Sequence, residues 1–334
     1  MGIMAMRVLF LGGTGVISYA SVRLAAERGY QVTVVNRGRT GSRPVPDGVE
    51  VLTADVRDQA SLAAAVAGRT FDTVCDFLSF TPDHLEQSLR VLDGATGQYI
   101  FVSSASAYQT PVRRLPITES TPLANPYWQY SRDKIACEEL LVRRWRDEQF
   151  PVTIVRPSHT YDQTMTILGG RHAMLRRLLR GDEVIVHGDG TSLWTLTHSS
   201  DFAQGFVGLV GHAGAFGQAV HITSDEWLTW DEIVACLARA AQVEPRIVHV
   251  PSDAIHAADP DWGDGLLGDK ANCTIFDNSL IRRLVPGFAC QIPFSVGAHQ
   301  IVAYHREHTA QQPRQAETEQ TIAALLERYR ISQP

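Results

Sequence analysis

The feature that most constrains this chain is a glycine-rich turn near its start, GGTGVIS at 12–18, directly after a short apolar run at 7–11 (RVLFL). The run reads as a buried strand. Residues 21–28 then carry apolar side chains at helical spacing and stop at Gly29. A strand that ends in such glycines and opens a helix is the context that gives the pattern meaning. Gly12 permits the tight turn. Gly15 lets the backbone approach a pyrophosphate, which would rest on free amides at a helix N-terminus, so cofactor contact is expected at Gly12, Gly15, Val16 and Ile17. The third small position is Ser18, whose side chain still allows close helix–strand packing. A plain strand-to-helix turn is the competing reading.

Further strands are expected at 31–35 (QVTVV), 49–52 (VEVL), 73–77 (TVCDF), 99–102 (YIFV) and 152–155 (VTIV), with helices at 61–66, 82–92 and 131–149 between them. Strict alternation implies parallel βαβ units and strands buried on both faces. The fold class expected is α/β, a Rossmann-type doubly wound parallel sheet with a smaller mixed α/β C-terminal substrate lobe. The second half is less regular. Helix is expected at 169–180, 198–209, 229–241 and 318–329, and strand at 183–186, 219–223 and 246–250. The stretch 259–269 (DPDWGDGLLGD) reads as a loop, and QQPRQ at 311–315 as a polar linker. The nucleotide-binding domain is expected over 1–158 plus part of 183–225, and the substrate lobe over 159–182 and 226–334.

Composition removes several function classes. Thirty Lys+Arg against 36 Asp+Glu give a net charge of −6, which argues against a dedicated nucleic-acid or anionic-membrane binder. No apolar run reaches membrane-spanning length, and the apolar run in the opening MGIMAMRVLFLGG is too short for a signal segment. Five cysteines, odd in number and without C-x-x-C spacing, argue against a disulfide framework or a zinc site and fit a reducing cytoplasm. No metal site is expected. Asp259, Asp261, Asp264 and Asp269 lack calcium-ligand spacing. His198 and Asp201 read as a strand end and a helix cap, the cap falling to Ser199, Ser200 or Asp201.

The end of the second strand should meet the adenosine ribose. It carries Asn36, Arg37, Gly38 and Arg39 rather than a carboxylate, so a 2′-phosphate is accommodated and NADP(H) is favoured, with NAD(H) the alternative. Asp55, followed by Val56, is placed to accept from the adenine amino group, or else caps a helix. Tyr130 and Lys134 lie four apart on one helix face, after a strand ending in SSASAY at 103–108. A free phenol has a pKa near ~10, too high for a base at neutral pH. A neighbouring ammonium and an oxidised nicotinamide would lower it. Lys134 can also hold the cofactor ribose, and Ser104 orients the oxygen being oxidised or reduced. A solvated helix face is the competing reading for Tyr130 and Lys134.

With these residues the chain resembles an extended short-chain dehydrogenase/reductase of the NAD-dependent epimerase/dehydratase kind. The likeness covers most of the chain: GGTGVIS, SSASAY, YSRDK at 130–134, RPSHTY at 156–161, GDG at 188–190 and HSSDFA at 198–203. HITSDEWLTW at 221–230 and DKANCTIFDN at 269–278 are similar to an atypical branch that includes plant chloroplast stem-loop-binding proteins. The resemblance implies Ser104, Tyr130 and Lys134 as catalytic. It implies cofactor contacts at Gly12, Gly15, Asp55, Pro157 and, through the backbone, Phe77, Leu78 and Ser79. It also implies a nucleotide-activated sugar or related polyol or ketone as substrate, and a homodimer seamed by the helices at 82–92 and 131–149.

Three departures qualify this. Ala105 and Ser106 stand where dehydratases carry an Asp-Glu pair, so net dehydration lacks its acid. Thr191, Ser192, Leu193 and Trp194 replace the arginine that grips a diphosphate, and His159 stands where an Asn is usual. Ser106, His159 and Trp194 are therefore the candidate substrate contacts, with core packing the alternative for Trp194, and His172 another side chain that could face substrate. The leading expectation is hydride transfer at a secondary alcohol or ketone of a sugar-like small molecule, by an epimerase or a reductase. The alternatives are an RNA-binding protein on the same fold and an NADP(H)-binding redox sensor without turnover. Basic clusters at Arg113–Arg114, 143–146 and 176–180 are the features that would serve RNA.

Overall fold

The computed structural model describes residues 5–38, 43–309 and 316–330. Seven strands form one parallel sheet. The first six are β1 (Arg7–Leu11), β2 (Gln31–Asn36), β3 (Glu50–Thr53), β4 (Thr73–Asp76), β5 (Tyr99–Val102) and β6 (Val152–Pro157). The seventh is Ala219–Ile222, which pairs with β6. The order across the sheet is Ala219–Ile222, β6, β5, β4, β1, β2, β3. The direction of travel reverses between β1 and β4, and a doubly wound sheet opens a crevice at such a switch point. All four β4 residues are buried, as a two-sided parallel strand requires, whereas β3 at the sheet edge is largely exposed.

Helices α1 (Val16–Glu27), α2 (Gln59–Val66), α3 (Pro82–Leu92) and α4 (Gln129–Glu148) connect the strands. Two apolar clusters pack on the two faces of the sheet, one around Val8, Phe10, Val34, Phe202 and Phe206, the other around Leu9, Leu11, Leu85, Phe101 and Leu141. A third core belongs to the lobe and joins Leu175, Val184, Trp194, Trp230, Leu237 and Ile301. Small sheets serve the lobe: Glu183–His187 with Arg246–Val250, Leu193–Trp194 with Leu228–Thr229, and His159–Tyr161 with Leu196–His198.

Three local expectations are corrected. The stretch 259–269 is not a loop. Asp259 caps a helix at Pro260–Gly265, accepting from the Trp262 amide at 3.0 Å, and a π-turn follows at Leu266–Lys270. Its glycines serve close packing rather than flexibility: a Cβ on Gly268 would stand 2.7 Å from Trp128 Cβ. The helix Ser199–Leu209 is capped by the His198 ring, whose Nδ1 accepts from the Ser200 amide at 3.2 Å, while the Asp201 carboxylate is taken by the Ile292 amide. Finally, Ile281 and Phe288, placed in the lobe by sequence, are buried in the cluster of the large sheet. The linker at 311–315 and Arg39 lie outside the described residues. No described helix is long and apolar enough to cross a membrane. All five cysteines are free thiols.

Candidate active site

A cleft of about 820 Å³ opens along the carboxyl ends of the strands. That volume lies in the upper part of the range for small-molecule sites, ~300–1,000 Å³. One end is floored by the glycine turn, and the other is walled by Trp128, His159, Trp194 and the π-turn residues Asp269 and Lys270.

At the glycine end, Gly12 has φ +81°, a left-handed conformation that side chains disfavour, and a Cβ there would stand 2.7 Å from Leu78 Cγ. The turn is thus free of side-chain bulk where the chain passes closest to the cleft. Gly15 is the N-cap of α1, and Ser18 Oγ accepts from the Gly15 amide at 3.0 Å. Gly15, Val16 and Ile17 all line the cleft at the first turn, where helix amides have no partner within the helix. These residues fit the pyrophosphate of a dinucleotide. Asn36, Arg37, Asp55 and Val56 line the same end. The Asn36 side chain accepts from the Gly38 amide, and no carboxylate ends β2. Asp55 is not the cap of α2; Asp58 is, and Asp55 accepts instead from the Arg57 amide.

The Phe77–Ser79 segment is only partly as expected. Phe77 and Leu78 line the cleft, and Ser79 does not. The Leu78 and Ser79 amides donate to Asp76 at 2.9 and 3.0 Å, and the Phe77 amide donates to the Leu11 carbonyl. The segment's backbone donors are therefore already spent within the fold.

Ser104, Tyr130 and Lys134 come together at mid-cleft. Ser104 ends the stretch after β5 and caps a short 3₁₀ turn, Ala105–Ala107. Its hydroxyl bonds Ser106 Oγ at 2.9 Å, which in turn accepts from buried Ser131 at 2.8 Å. Ser106 thus supports Ser104 as well as facing the cleft. Lys134 is 2% exposed and donates to the Ser79 and Val102 carbonyls at 2.7 and 2.8 Å. Burial lowers its pKa to about 8. Burial pushes Tyr130 up to about 12, against the downward pull of its hydrogen bond to Ser104. The Lys134 ammonium is held by two carbonyls and stands 5.9 Å from the Tyr130 ring centroid.

Beneath Ser104, Ser103 Oγ donates to Glu138 at 2.5 Å, and the Glu138 carboxylate is ion-paired with Arg156 at 2.5 Å. Both partners are buried, so the pair ties α4 and β6 under the stretch that carries Ser103 and Ser104. Pro157, the residue after Arg156, lines the cleft.

At the far end, Trp194 is 3% exposed and donates through Nε1 to His159 Nδ1 at 3.3 Å. Both line the cleft, and burial lowers His159 to about 3, so its ring is neutral throughout the working pH range. Trp194 also packs on Trp230, so core packing and cleft lining are both its roles. His172 packs against His305 and is not part of the cleft lining. No group of three or more potential metal ligands occurs among the described residues.

Sequence reading missed two features. Arg43 donates to Asp162 at 2.8 Å and to the Thr14 carbonyl at 3.1 Å, bridging the glycine turn to the lobe. Nothing in its local sequence marks it. Asp269 and Lys270 were hidden by the loop-like composition around them.

Comparison with known proteins agrees with this geometry. The chain is 27% identical over 85% of its length to 2′-dehydrokanamycin reductase of Streptomyces kanamyceticus, covering 80% of that protein. It is 25% identical over 73% of its length to the chloroplast stem-loop binding protein of 41 kDa b of Arabidopsis thaliana, covering 65% of that one. In fold it superposes on an epimerase from Methanothermobacter thermautotrophicus with a TM-score of 0.77, at 15% identity over 92% of this chain and 94% of the other. It also superposes on UDP-glucose 4-epimerase from Bifidobacterium longum, solved with NAD+ and UDP, with a TM-score of 0.73 at 20% identity over 90% and 98%. The sequence profile of the NAD dependent epimerase/dehydratase family matches residues 8–222, and with the glycine turn, the Ser104–Tyr130–Lys134 group and the sheet order in place, the chain belongs to that family.

Proposed function

We propose that this chain is an NADP(H)-dependent reductase that converts a ketone on a sugar-like small molecule to a secondary alcohol. The observation that carries this reading is the convergence of Ser104, Tyr130 and Lys134 on one cleft whose other end is a glycine turn. A bound nicotinamide supplies or accepts the hydride. The protein's share is the proton. Tyr130, held as a neutral phenol, gives its proton to the carbonyl oxygen as that oxygen gains charge, and the Ser104 hydroxyl orients the same oxygen. Lys134 fixes the walls on either side by tying Ser79 to Val102.

A phenol that is protonated at neutral pH is in the state that ketone reduction needs at the outset. The curated reductase relative agrees in reaction class, and its name carries no nucleotide. Dehydration is disfavoured, because no carboxylate neighbours Ser104 in the chain. NADP(H) is favoured because Arg37 and Arg57 line the adenosine end and β2 ends without an acid. RNA binding is disfavoured because the chain carries a net charge of −6 and three arginines of the basic clusters are held in ion pairs. Arg144 pairs with Asp93 and Glu148, Arg176 with Glu319, and Arg180 with Asp182. We place the chain as a homodimer through α3 and α4, as its family resemblance implies.

The test offers a panel of sugar ketones with NADPH or NADH. Steady cofactor consumption by the wild type, lost in Tyr130→Phe, supports the reading. Interconversion of stereoisomers with no net change in nicotinamide absorbance would assign an epimerase instead. Clearly tighter binding of NAD(H) would overturn the cofactor preference, and salt-steep RNA affinity would revive the binding-protein reading.

A further inference from the structure

The substrate end of the cleft contains a cation cage occupied by the protein's own side chain. Lys270 Nζ lies 5.3 Å from the ring centroid of Trp128 and 5.7 Å from that of Trp194. Both distances fall within the ~6 Å reach of cation–π attraction. The Asp269 carboxylate stands 3.5 Å from the same ammonium. All four residues line the cleft that contains Ser104 and Tyr130.

The cage walls are fixed and its occupant is not. The Lys270 carbonyl accepts from His187 Nε2 at 2.9 Å, Trp230 Nε1 at 3.1 Å and Ser192 Oγ at 3.3 Å. The Gly268 carbonyl accepts from Asn125 at 2.6 Å, and its lack of a side chain lets the turn press on Trp128. The backbone of the π-turn is therefore pinned. The Lys270 side chain ends in one long ion pair and two ring contacts, on a flexible four-carbon stem. Two aromatic faces and a carboxylate attract an ammonium and repel a phosphate. Burial holds the Asp269 carboxyl above its ordinary range, so the group gains most from a cation beside it. The Asp269 charge also reaches Tyr130 and helps to keep it a phenol, which places the cage next to the reacting position.

We propose that the substrate is an amino sugar whose ammonium displaces Lys270 Nζ from between Trp128 and Trp194 and pairs with Asp269, while its reacting carbon faces Ser104 and Tyr130. This rests on the reductase reading and narrows it. Asp269 and the two tryptophans recognise the amine. Lys270 is a resident competitor that keeps a half-buried carboxylate paired until substrate arrives.

The test compares binding of glucosamine, glucose and glucose 6-phosphate to wild type, Asp269→Asn and Lys270→Met, read by tryptophan fluorescence and competition NMR in the presence of saturating NADPH. The substrate ammonium takes over contacts that Lys270 already makes, so wild type should prefer glucosamine over glucose by only a few-fold, the margin coming from a pairing with Asp269 closer than 3.5 Å. Lys270→Met should tighten glucosamine several-fold, since the competitor is gone. Asp269→Asn should remove the preference by weakening glucosamine binding while glucose binding is little changed. Equal binding of glucosamine and glucose, or no sugar binding, overturns the proposal. Preference for glucose 6-phosphate that Lys270→Met abolishes also overturns it and makes Lys270 an anion grip. A collapse of kcat in Asp269→Asn with binding intact would make Asp269 a proton-transfer group instead. NADPH uptake measured on the same samples separates the two levels. Uptake without amine preference defeats only the amino-sugar assignment, while absence of uptake defeats the reductase reading itself.

Discussion

Replacing Tyr130 with Phe removes one hydroxyl from a half-buried ring and leaves its packing against Phe80 and Trp128 in place. The phenol is held at about 12. Removing its proton at pH 7 therefore costs about 7 kcal/mol, so at neutral pH the group acts from its protonated state. A positioned proton donor of this kind contributes roughly 10²–10⁴-fold, or about 3–5 kcal/mol of transition-state stabilisation. Tyr130→Phe should lower kcat for ketone reduction by that factor, with NADPH affinity and thermal midpoint nearly unchanged. The pH profile sharpens the test. Tyr130 stays protonated well past neutrality, so any loss of reduction rate near pH 8 belongs to Lys134, whose ammonium titrates at about 8. Stopped-flow reduction should then show a limb near pH 8 in both wild type and Tyr130→Phe, the variant lying lower throughout. Two results would refute this reasoning. One is a Tyr130→Phe rate within a few-fold of wild type. The other is a limb near neutrality that vanishes with the phenol, which would show a tyrosine acidified after all.

Three further outcomes follow from the same geometry. Glu138→Gln strips the charge partner of buried Arg156 and should cost about 3–5 kcal/mol, lowering Tm by roughly 4–10 °C, whereas replacing both with Met should restore most of the loss; a single variant as stable as wild type would contradict the assigned role. Gly12→Ala forces a side chain into φ +81° and onto Leu78, so it should cost at least about 1–2 kcal/mol and weaken dinucleotide binding; unchanged melting and affinity would contradict it. His159, His187 and His221 are held neutral, at about 3, 4 and 4, so the unfolded chain binds more protons below its usual histidine pKa. Stability is then lost as pH falls from about 6.5 toward 4, at about 1.4 kcal/mol per pH unit per histidine, partly offset by the raised carboxyls of Glu119 and Asp269. Urea midpoints that stay flat over that window would contradict these burials.

The parts of this fold that were legible in the sequence are those set by local period. Runs such as RVLFL and YIFV, buried on both faces, could only be central parallel strands, and glycines between strand and helix marked the ligand end of the sheet. Tyr130 and Lys134 were legible because helical spacing alone puts them on one face. What stayed hidden depends on long-range packing. A Pro after Asp259 and three glycines look like a loop, yet the Pro occupies the first turn of a capped helix and the glycines admit Trp128 and His256 at close approach. The direction in which Tyr130 is tuned depends on how the fold buries it, and only the fold shows that the Lys134 ammonium points at two carbonyls. Arg43 reaches Asp162 across 119 positions of sequence, a distance at which spacing carries no information.

The most direct test of the central claim titrates the purified chain with NADPH and with NADH, following energy transfer from the cleft tryptophans Trp128 and Trp194 to the reduced nicotinamide. The account predicts saturable transfer at one site per chain, tighter for NADPH, and its loss in Gly12→Ala. A chain that takes up neither dinucleotide would contradict it.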